Sequence, residues 1–293
     1  AKSVWRVAAD GELHDTFKKL DNLFAVEEQK FFEYYASLKQ NEISNSYLAE
    51  CKEVYAELYA KIPEDMPFSN IWIAKHLYQE LPQKSFIQLG ILNSLRSWNL
   101  FDSKSIVSES CNTGGFGIDG GVSSFVGASL AKKADYYYCV TGDLAFFYDM
   151  NILGNRHIGN NVRLMVVNNG VGVEFKFYHH QNNFLDVDKF IGAGGHFGNK
   201  SHQLLKHYAE DLGFEYISAS CKEEFEKVYR KFVSEEKNKP ILFEVFTNAE
   251  DDDKALYMIN HLQAPTLKQA VKQEIKEVVG QSNIDAIKLF VKK

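Results

Sequence analysis

The chain has 293 residues, of which 45% are hydrophobic, 25% charged and 14% aromatic, and its formal net charge is −6. This composition supports a sizeable packed core and excludes a disordered chain, a collagen-like repeat and a disulfide-built mini-protein. The acidic balance argues against a reader of nucleic-acid phosphates, and no apolar run approaches the ~18 residues that suggest a membrane span.

The chain opens Ala1-Lys2-Ser3, with neither Met nor an apolar leader, which fits a removed start or a piece of something longer. Asp10-Gly11 marks a turn. Phe17, Leu20, Leu23, Phe24, Phe31, Phe32 and Tyr35 then recur at helical spacing, and Leu48, Val54, Tyr55, Leu58 and Tyr59 do so between Tyr47 and Lys61. Residues 1–80 therefore read as a helical lead-in. Pro63 and Pro67 interrupt it, and Ser69–Leu81 is one more helix candidate. Over residues 81–248 short β-rich runs follow, at Phe86–Leu89, Ile106–Ser108, Tyr136–Thr141, Val162–Val167, Tyr216–Ala219 and Ile241–Phe246. Amphipathic runs lie between most of them, at Val122–Lys132, Phe147–Ile158, Gln203–Leu212 and Glu223–Glu235. The alternation predicts an α/β fold with a mostly parallel, six-stranded sheet and helices on both faces. Residues 249–293 are charged, helical in pattern and without a strand, and read as an extension packed on this domain or on a partner. Cys51, Cys111, Cys139 and Cys221 are far apart and form no CxxC pair, as free thiols in a reduced cytoplasm would be.

Ligands of an open α/β sheet sit outside the carboxyl ends of its strands, and three of these ends are chemically rich. Glu109 to Gly121 follows the second run, and residues 115–120 within it spell GxGxxG. This segment reads as a dinucleotide fingerprint with Asp143 as the ribose acid, as another phosphate cradle, or as a tight strand-to-helix turn. Gly142-Asp143-Leu144-Ala145 follows the third run, and Asn168-Asn169-Gly170-Val171-Gly172 follows the fourth. In a parallel βαβ unit, a carboxylate and an amide 26 residues apart can converge on one edge. With a backbone carbonyl they suit Mg²⁺ or Ca²⁺ that also grips a diphosphate.

Gly142-Asp143 followed by Asn168-Asn169 resembles the signature of the thiamine diphosphate (ThDP)-dependent enzymes. The run Gly142-Asp143-Leu144-Ala145-Phe146-Phe147-Tyr148-Asp149-Met150-Asn151 is similar to the GDLS-x-x-YDLN segment of the SEPHCHC synthase family, which serves menaquinone biosynthesis. Gly117-Ile118-Asp119-Gly120 is similar to that family's SGIDG segment, and Asn93-Ser94 to its GNS strand end. Trp5-Arg6-Val7 and Asp10-Gly11-Glu12 look like the tail of its central domain. The resemblance implies ThDP and Mg²⁺ as cofactors, with Asp143, Asn169 and the Val171 carbonyl as metal ligands. It implies that Asn93, Ser94, Gly117, Ile118, Asp119, Gly142, Leu144, Ala145 and Gly172 line the cofactor. It further implies a 2-oxo acid substrate, decarboxylation with carboligation, a homo-oligomer and a cytoplasmic enzyme. A pyrimidine-binding domain carrying an activating Glu is expected elsewhere in the full protein, so this chain reads as the cofactor-binding part.

Several positions depart from that pattern. Thr113 stands where the family has an anion-binding Arg, Arg96 lies three residues beyond Asn93 where the family's Arg lies about five beyond, and Ala145 replaces a Ser. Glu174 stands where the synthases have a large apolar residue. It reads as a solvated Glu at a helix start or as a proton relay of the kind found in 2-oxo acid decarboxylases. His179-His180 and His196, the latter in a glycine-rich stretch, read as surface groups or as substrate contacts on a lid. Besides the carboligase, a ThDP-dependent decarboxylase or acyl transferase with another 2-oxo acid and a non-catalytic nucleotide-binding scaffold remain open.

Overall fold

The computed structural model describes residues 2–38, 45–103, 108–115, 117–178 and 201–263. The chain divides into two compact units, Ala1–Ala60 and Lys61–Lys293.

In the first unit, β1 (Val4–Val7) pairs in parallel with β2 (Leu20–Phe24), followed by α1 (Glu28–Ser37) and α2 (Ser46–Tyr59). The helical reading of Phe17 to Phe24 is corrected here. Lys18 has φ +53°, which a right-handed helix cannot accommodate, and the Asp15 carboxylate accepts the N–H groups of Lys19 and Leu20 at 2.8 and 3.1 Å. A turn therefore delivers Leu20 into a strand, and the helical spacing of Phe17, Leu20 and Phe24 is a coincidence of two elements. Neither α1 nor α2 contains a buried residue. Trp5, Phe24, Phe31 and Tyr35 form a row of ring contacts, with centroids 5.4, 5.0 and 4.7 Å apart in that order.

The second unit opens with α3 (Asn70–Leu77), whose N-cap Ser69 accepts the Trp72 N–H at 3.2 Å, and a 3-10 turn at Tyr78–Glu80. Met66, Ile71, Trp72, Ile73, Leu77 and Leu81 are all core residues. Residues 61–80 thus belong with the sheet and not with the lead-in, because α3 is apolar on nearly every side and is stable only when enclosed. The other elements are β3 (Ser85–Leu89), α4 (Asn93–Trp98), β4 (Ser108–Cys111), α5 (Gly121–Leu130), β5 (Tyr136–Gly142), α6 (Asp143–Asp149) and β6 (Val162–Asn168). After them come α7 (Leu204–Asp211), β7 (Glu215–Ala219), α8 (Lys222–Phe232), β8 (Ile241–Phe246) and α9 (Ala249–Asn260). The six strands form one wholly parallel sheet in the order β4-β3-β5-β6-β8-β7.

Successive strand residues face opposite layers. Ile87, Tyr138, Val140, Met165 and Phe243 pack with Trp72, Trp98, Phe225 and Phe232 of α3, α4 and α8. Tyr137, Cys139, Leu164, Val166 and Leu242 pack with Phe125, Phe146 and Leu205 of α5, α6 and α7. Burial on both faces explains the continuous apolar runs of β5 and β6. β4 is an edge strand, and its polar, largely exposed Ser108-Glu109-Ser110-Cys111 explains why the sequence pattern stopped at Ser108. Residues 106 and 107 lie outside the described residues. α6 starts directly at Asp143, and the helical run expected over Phe147–Ile158 is the end of α6 continued by a 3-10 turn at Met150–Gly154. α9 turns Asp252, Ala255 and Ile259 into the core.

At the amino end of the sheet, Arg163 of β6 is completely buried. Its guanidinium donates to the carbonyls of Asn160 at 2.7 Å, Val162 at 3.1 Å, Lys239 at 3.4 Å and Glu236, tying the turn before β8 to the start of β6.

The order in which strands are added reverses between β3 and β5, because β3 is followed by β4 on one side and β5 lies on the other. Just beyond β3, Gly90 donates its N–H to the Val140 carbonyl at 2.7 Å. A Cβ at Gly90 would lie 3.0 Å from Thr141 Oγ1 and 3.2 Å from both Thr141 Cα and the Val140 carbonyl oxygen. Two of these neighbours are backbone and have no room to yield. Gly90→Ala is therefore expected to lower stability by about 1–3 kcal/mol in urea unfolding. Gly127→Ala, in the middle of α5 with no atom within 4 Å of the new Cβ, is expected to raise it by about 0.4–1 kcal/mol.

Candidate active site

The carboxyl ends of β5, β6 and β8 meet at Asp143. It is the first residue of α6 and is 2% exposed. Its Oδ1 accepts the Leu144 N–H at 2.9 Å, and its Oδ2 accepts the Gly170 N–H at 2.7 Å. Gly170, with φ +76°, turns the chain leaving β6 so that this one N–H faces both Asp143 Oδ2 and, at 3.1 Å, Asn168 Oδ1. A side chain at that φ would be strained. The turn brings the carboxylate after β5 and the amides after β6 to one edge, as their spacing predicts.

The two asparagines have different duties. Asn168 is 5% exposed, and its Nδ2 donates to Glu244 Oε1 of β8 at 2.7 Å. The second carboxylate oxygen of Glu244 accepts the Tyr216 hydroxyl at 2.7 Å. Burial pushes the Glu244 carboxyl above its ordinary value, opposed by these two hydrogen bonds. Asn168 is thereby committed to the protein interior. Asn169 donates its Nδ2 to Asp252 Oδ2 at 3.1 Å and accepts the Val171 N–H on Oδ1 at 3.3 Å. Asp252 is buried, and burial pushes its carboxyl up to about 6 against hydrogen bonds from the Asn70 N–H, Asn169 and Thr247.

The donor set fits a hard cation. Asp143 presents carboxylate oxygens and Asn169 an amide oxygen, and Val171, partly buried in the same turn, brings a backbone carbonyl. Oxygen ligands of this kind suit Mg²⁺. No group of three His, Cys, Asp or Glu side chains converges among the described residues.

Other expected residues lie at the starts of α4 and α5. Asn93 and Ser94 open α4, directly after Leu92, whose φ of +70° and ψ of −116° place a bulky residue in a sparsely populated region. Ser94 is buried, and Ser97 Oγ donates to Asn93 Oδ1 at 3.4 Å. Gly117, Ile118 and Asp119 lead into α5. Asn112 Nδ2 donates to the Gly117 carbonyl at 2.9 Å, while Asn112 Oδ1 is buried with no hydrogen-bond partner among the described residues. Gly120, φ +71°, is the N-cap of α5. The Ser123 N–H in the first turn of α5 is taken by Asp149 Oδ2 at 2.6 Å. A protein carboxylate thus occupies the end of α5 that a dinucleotide phosphate would need. The dinucleotide reading of GxGxxG loses its support, and the turn role of Gly120 stands.

Glu174 lies in a 3-10 turn, Val173–Lys176, and forms an ion pair with Arg96 of α4. It is neither an unpaired solvated Glu nor a lone group facing the site. Leu144, Ala145 and Gly172 are partly buried at the same edge. His196, His179-His180 and the glycine-rich stretch around His196 lie outside the described residues. Sequence reasoning missed Glu244, Asp252 and Asp149. Glu244 did carry a signal, a single acid inside the apolar strand Ile241–Phe246, since unpaired buried charge is rare.

The wholly parallel sheet, with a carboxylate and an amide joined across two adjacent strand ends, defines an open α/β module with a polar carboxyl edge. Among curated proteins, the chain is a homologue of the 2-succinyl-5-enolpyruvyl-6-hydroxy-3-cyclohexene-1-carboxylate (SEPHCHC) synthases. It is 32% identical over 260 residues to the synthase of Phocaeicola vulgatus, covering 88% of this chain and 44% of that protein. It is 31% identical over 261 residues to that of Bacteroides fragilis, covering 87% and 44%. To that of Christiangramia forsetii it is 34% identical over 193 residues, covering 66% and 32%. The chain thus spans less than half the length of these relatives. No protein-family model matches it. Among the described residues no helix is long and apolar enough to cross a membrane.

Tyr216→Phe leaves Glu244 with one donor fewer and is expected to cost about 1–3 kcal/mol in urea unfolding. The lost hydrogen bond favours the ionised carboxylate, so the cost should be larger at pH 8 than at pH 5.

Proposed function

We propose that this chain is the ThDP- and Mg²⁺-holding part of an enzyme that decarboxylates a 2-oxo acid and joins the resulting acyl unit to an acceptor, as the SEPHCHC synthases do in menaquinone biosynthesis. The observation that carries this reading is the joint made at Gly170, which holds Asp143 and the Asn168-Asn169 turn together at the sheet's carboxyl edge. Homology to the synthases over most of the chain supports it. Asp143, Asn169 and the Val171 carbonyl would hold the metal. Gly142, Leu144, Ala145 and Gly172 would line the diphosphate, and Asn93, Ser94 and Gly117–Asp119 the rest of the cofactor. Bound ThDP supplies a nucleophilic carbon and an electron sink for the 2-oxo acid. The buried Asn112 Oδ1 offers an acceptor beside the Gly117 segment. The pyrimidine-binding domain with its activating Glu would come from the part of the relatives' length that this chain does not span. Residues 1–60 would be the end of a preceding domain, and the enzyme would be a cytoplasmic homo-oligomer.

One observation favours a second reading, a ThDP-dependent decarboxylase or acyl transferase with a different 2-oxo acid. Arg96 is neutralised by Glu174, and Thr113 stands where the synthases carry a cation. This edge therefore offers less positive charge for a substrate with two carboxylates than Arg forks would.

Asp143→Ala in the natural protein is expected to abolish Mg²⁺-dependent ThDP binding in calorimetry, and unchanged affinity would refute the assignment. Succinyl transfer from 2-oxoglutarate to isochorismate by the wild-type protein separates the first reading from the second. Turnover of a monocarboxylic 2-oxo acid alone would favour the second. Glu174→Gln is expected to alter turnover and its pH profile, and an unchanged profile rules out a proton-handling role for Glu174.

A further inference from the structure

We infer that Asp252, in the first turn of α9, is a positioning residue that fixes which end of the Asn169 amide faces the cation. This rests on the reading of Asn169 as a metal ligand.

Asp252 is 3% exposed and is gripped from three elements. Its Oδ1 accepts the Asn70 N–H at the start of α3, at 2.8 Å. Its Oδ2 accepts the Thr247 hydroxyl and Asn169 Nδ2, each at 3.1 Å. Asn70 is itself held, since its Oδ1 accepts the Trp98 Nε1–H at 3.0 Å. The carboxylate therefore has little freedom to turn.

An ionised carboxylate only accepts hydrogen bonds, whereas an amide has a donating and an accepting end. Asp252 thus selects the NH₂ end of Asn169, and the oxygen must face the other way, toward the Val171 N–H. Without that choice only the long hydrogen bond from the Val171 N–H, at 3.3 Å, distinguishes two nearly isosteric orientations of the amide. One presents an oxygen to a cation and the other an NH₂, which a cation repels. The selection is made from a residue 83 positions along the chain, on a helix that carries no part of the Gly-Asp…Asn-Asn motif. Partners of this kind that orient a metal ligand typically carry 10–100-fold of metal affinity.

The test uses the natural protein with Mg²⁺ titrated at a fixed ThDP concentration, read by calorimetry, and thermal unfolding recorded without either ligand. Asp252→Asn puts an NH₂ among donors and lets Asn169 turn its oxygen inward. It is expected to weaken Mg²⁺ about 10–100-fold. The swap Asn169→Asp with Asp252→Asn restores one carboxylate and one amide to the pair, with an oxygen directed at the cation. It should recover most of that loss. If Asp252→Asn does not fold, the swap decides alone: a folded swap with near wild-type Mg²⁺ affinity supports the inference, and a folded swap weakened 10-fold or more overturns it. Asp252→Asn that unfolds at a lower temperature but binds Mg²⁺ unchanged also overturns it, because the contact is then only structural. Asp143→Ala, run alongside, separates the two levels. If it too leaves Mg²⁺-dependent binding intact, the reading of the metal site fails. If it abolishes binding while Asp252→Asn has no effect, only the role of Asp252 fails.

Discussion

The carboxyl edge of this sheet depends on one backbone N–H. Gly170 gives its single proton to a region shared by Asp143 Oδ2 and Asn168 Oδ1, and so joins the turn after β5 to the turn after β6. A buried carboxylate is tolerable only when donors reach it, and the Gly170 N–H is one of those that do for Asp143. From this joint the connections spread outward. Asn168 reaches Glu244 and Tyr216 on β8 and β7, and Asn169 reaches Asp252 on α9. Four strands and two helices are thereby coupled around a few atoms.

Much of this could be read from residues alone, for a physical reason. A carboxylate directly after one apolar run and a paired amide directly after the next is a local pattern, and parallel β-strand geometry converts it into proximity. β3, β5, β6 and β8 were legible because each is buried on at least one full face, leaving apolar runs rich in Val, Ile, Leu, Tyr and Phe. The partners of the asparagines were not legible in the same way. Asp252 sits in Glu250-Asp251-Asp252-Asp253, where acids at a helix start are favoured by the helix dipole whether or not one of them is buried. Only the packing of α9 against α3 singles it out. Lys18 shows the opposite failure: a single left-handed residue divides a perfectly good helical spacing, and hydrophobic periodicity does not register it.

The ion pair of Arg96 and Glu174 changes how the differences from the synthases are understood. Taken one at a time, a displaced Arg and an acid in an apolar position are two unrelated departures. In the structure they are one feature, a cation and an anion that answer each other across the ends of β3 and β6. Such a change is best viewed as coupled, since either charge alone at this partly buried edge would be less favourable than both together.

The two ends of the sheet are held by opposite chemistry. At the carboxyl edge the ties are carboxylates, and burial pushes two of them, Glu244 and Asp252, above their ordinary range. At the amino edge one tie is the Arg163 guanidinium on neutral carbonyls, a group with no practical way to lose its charge. Acidification therefore acts on the Glu244 and Asp252 ties and leaves the Arg163 tie as it is. Of these ties, the proton-sensitive ones lie on the rim where the chemistry is proposed to occur.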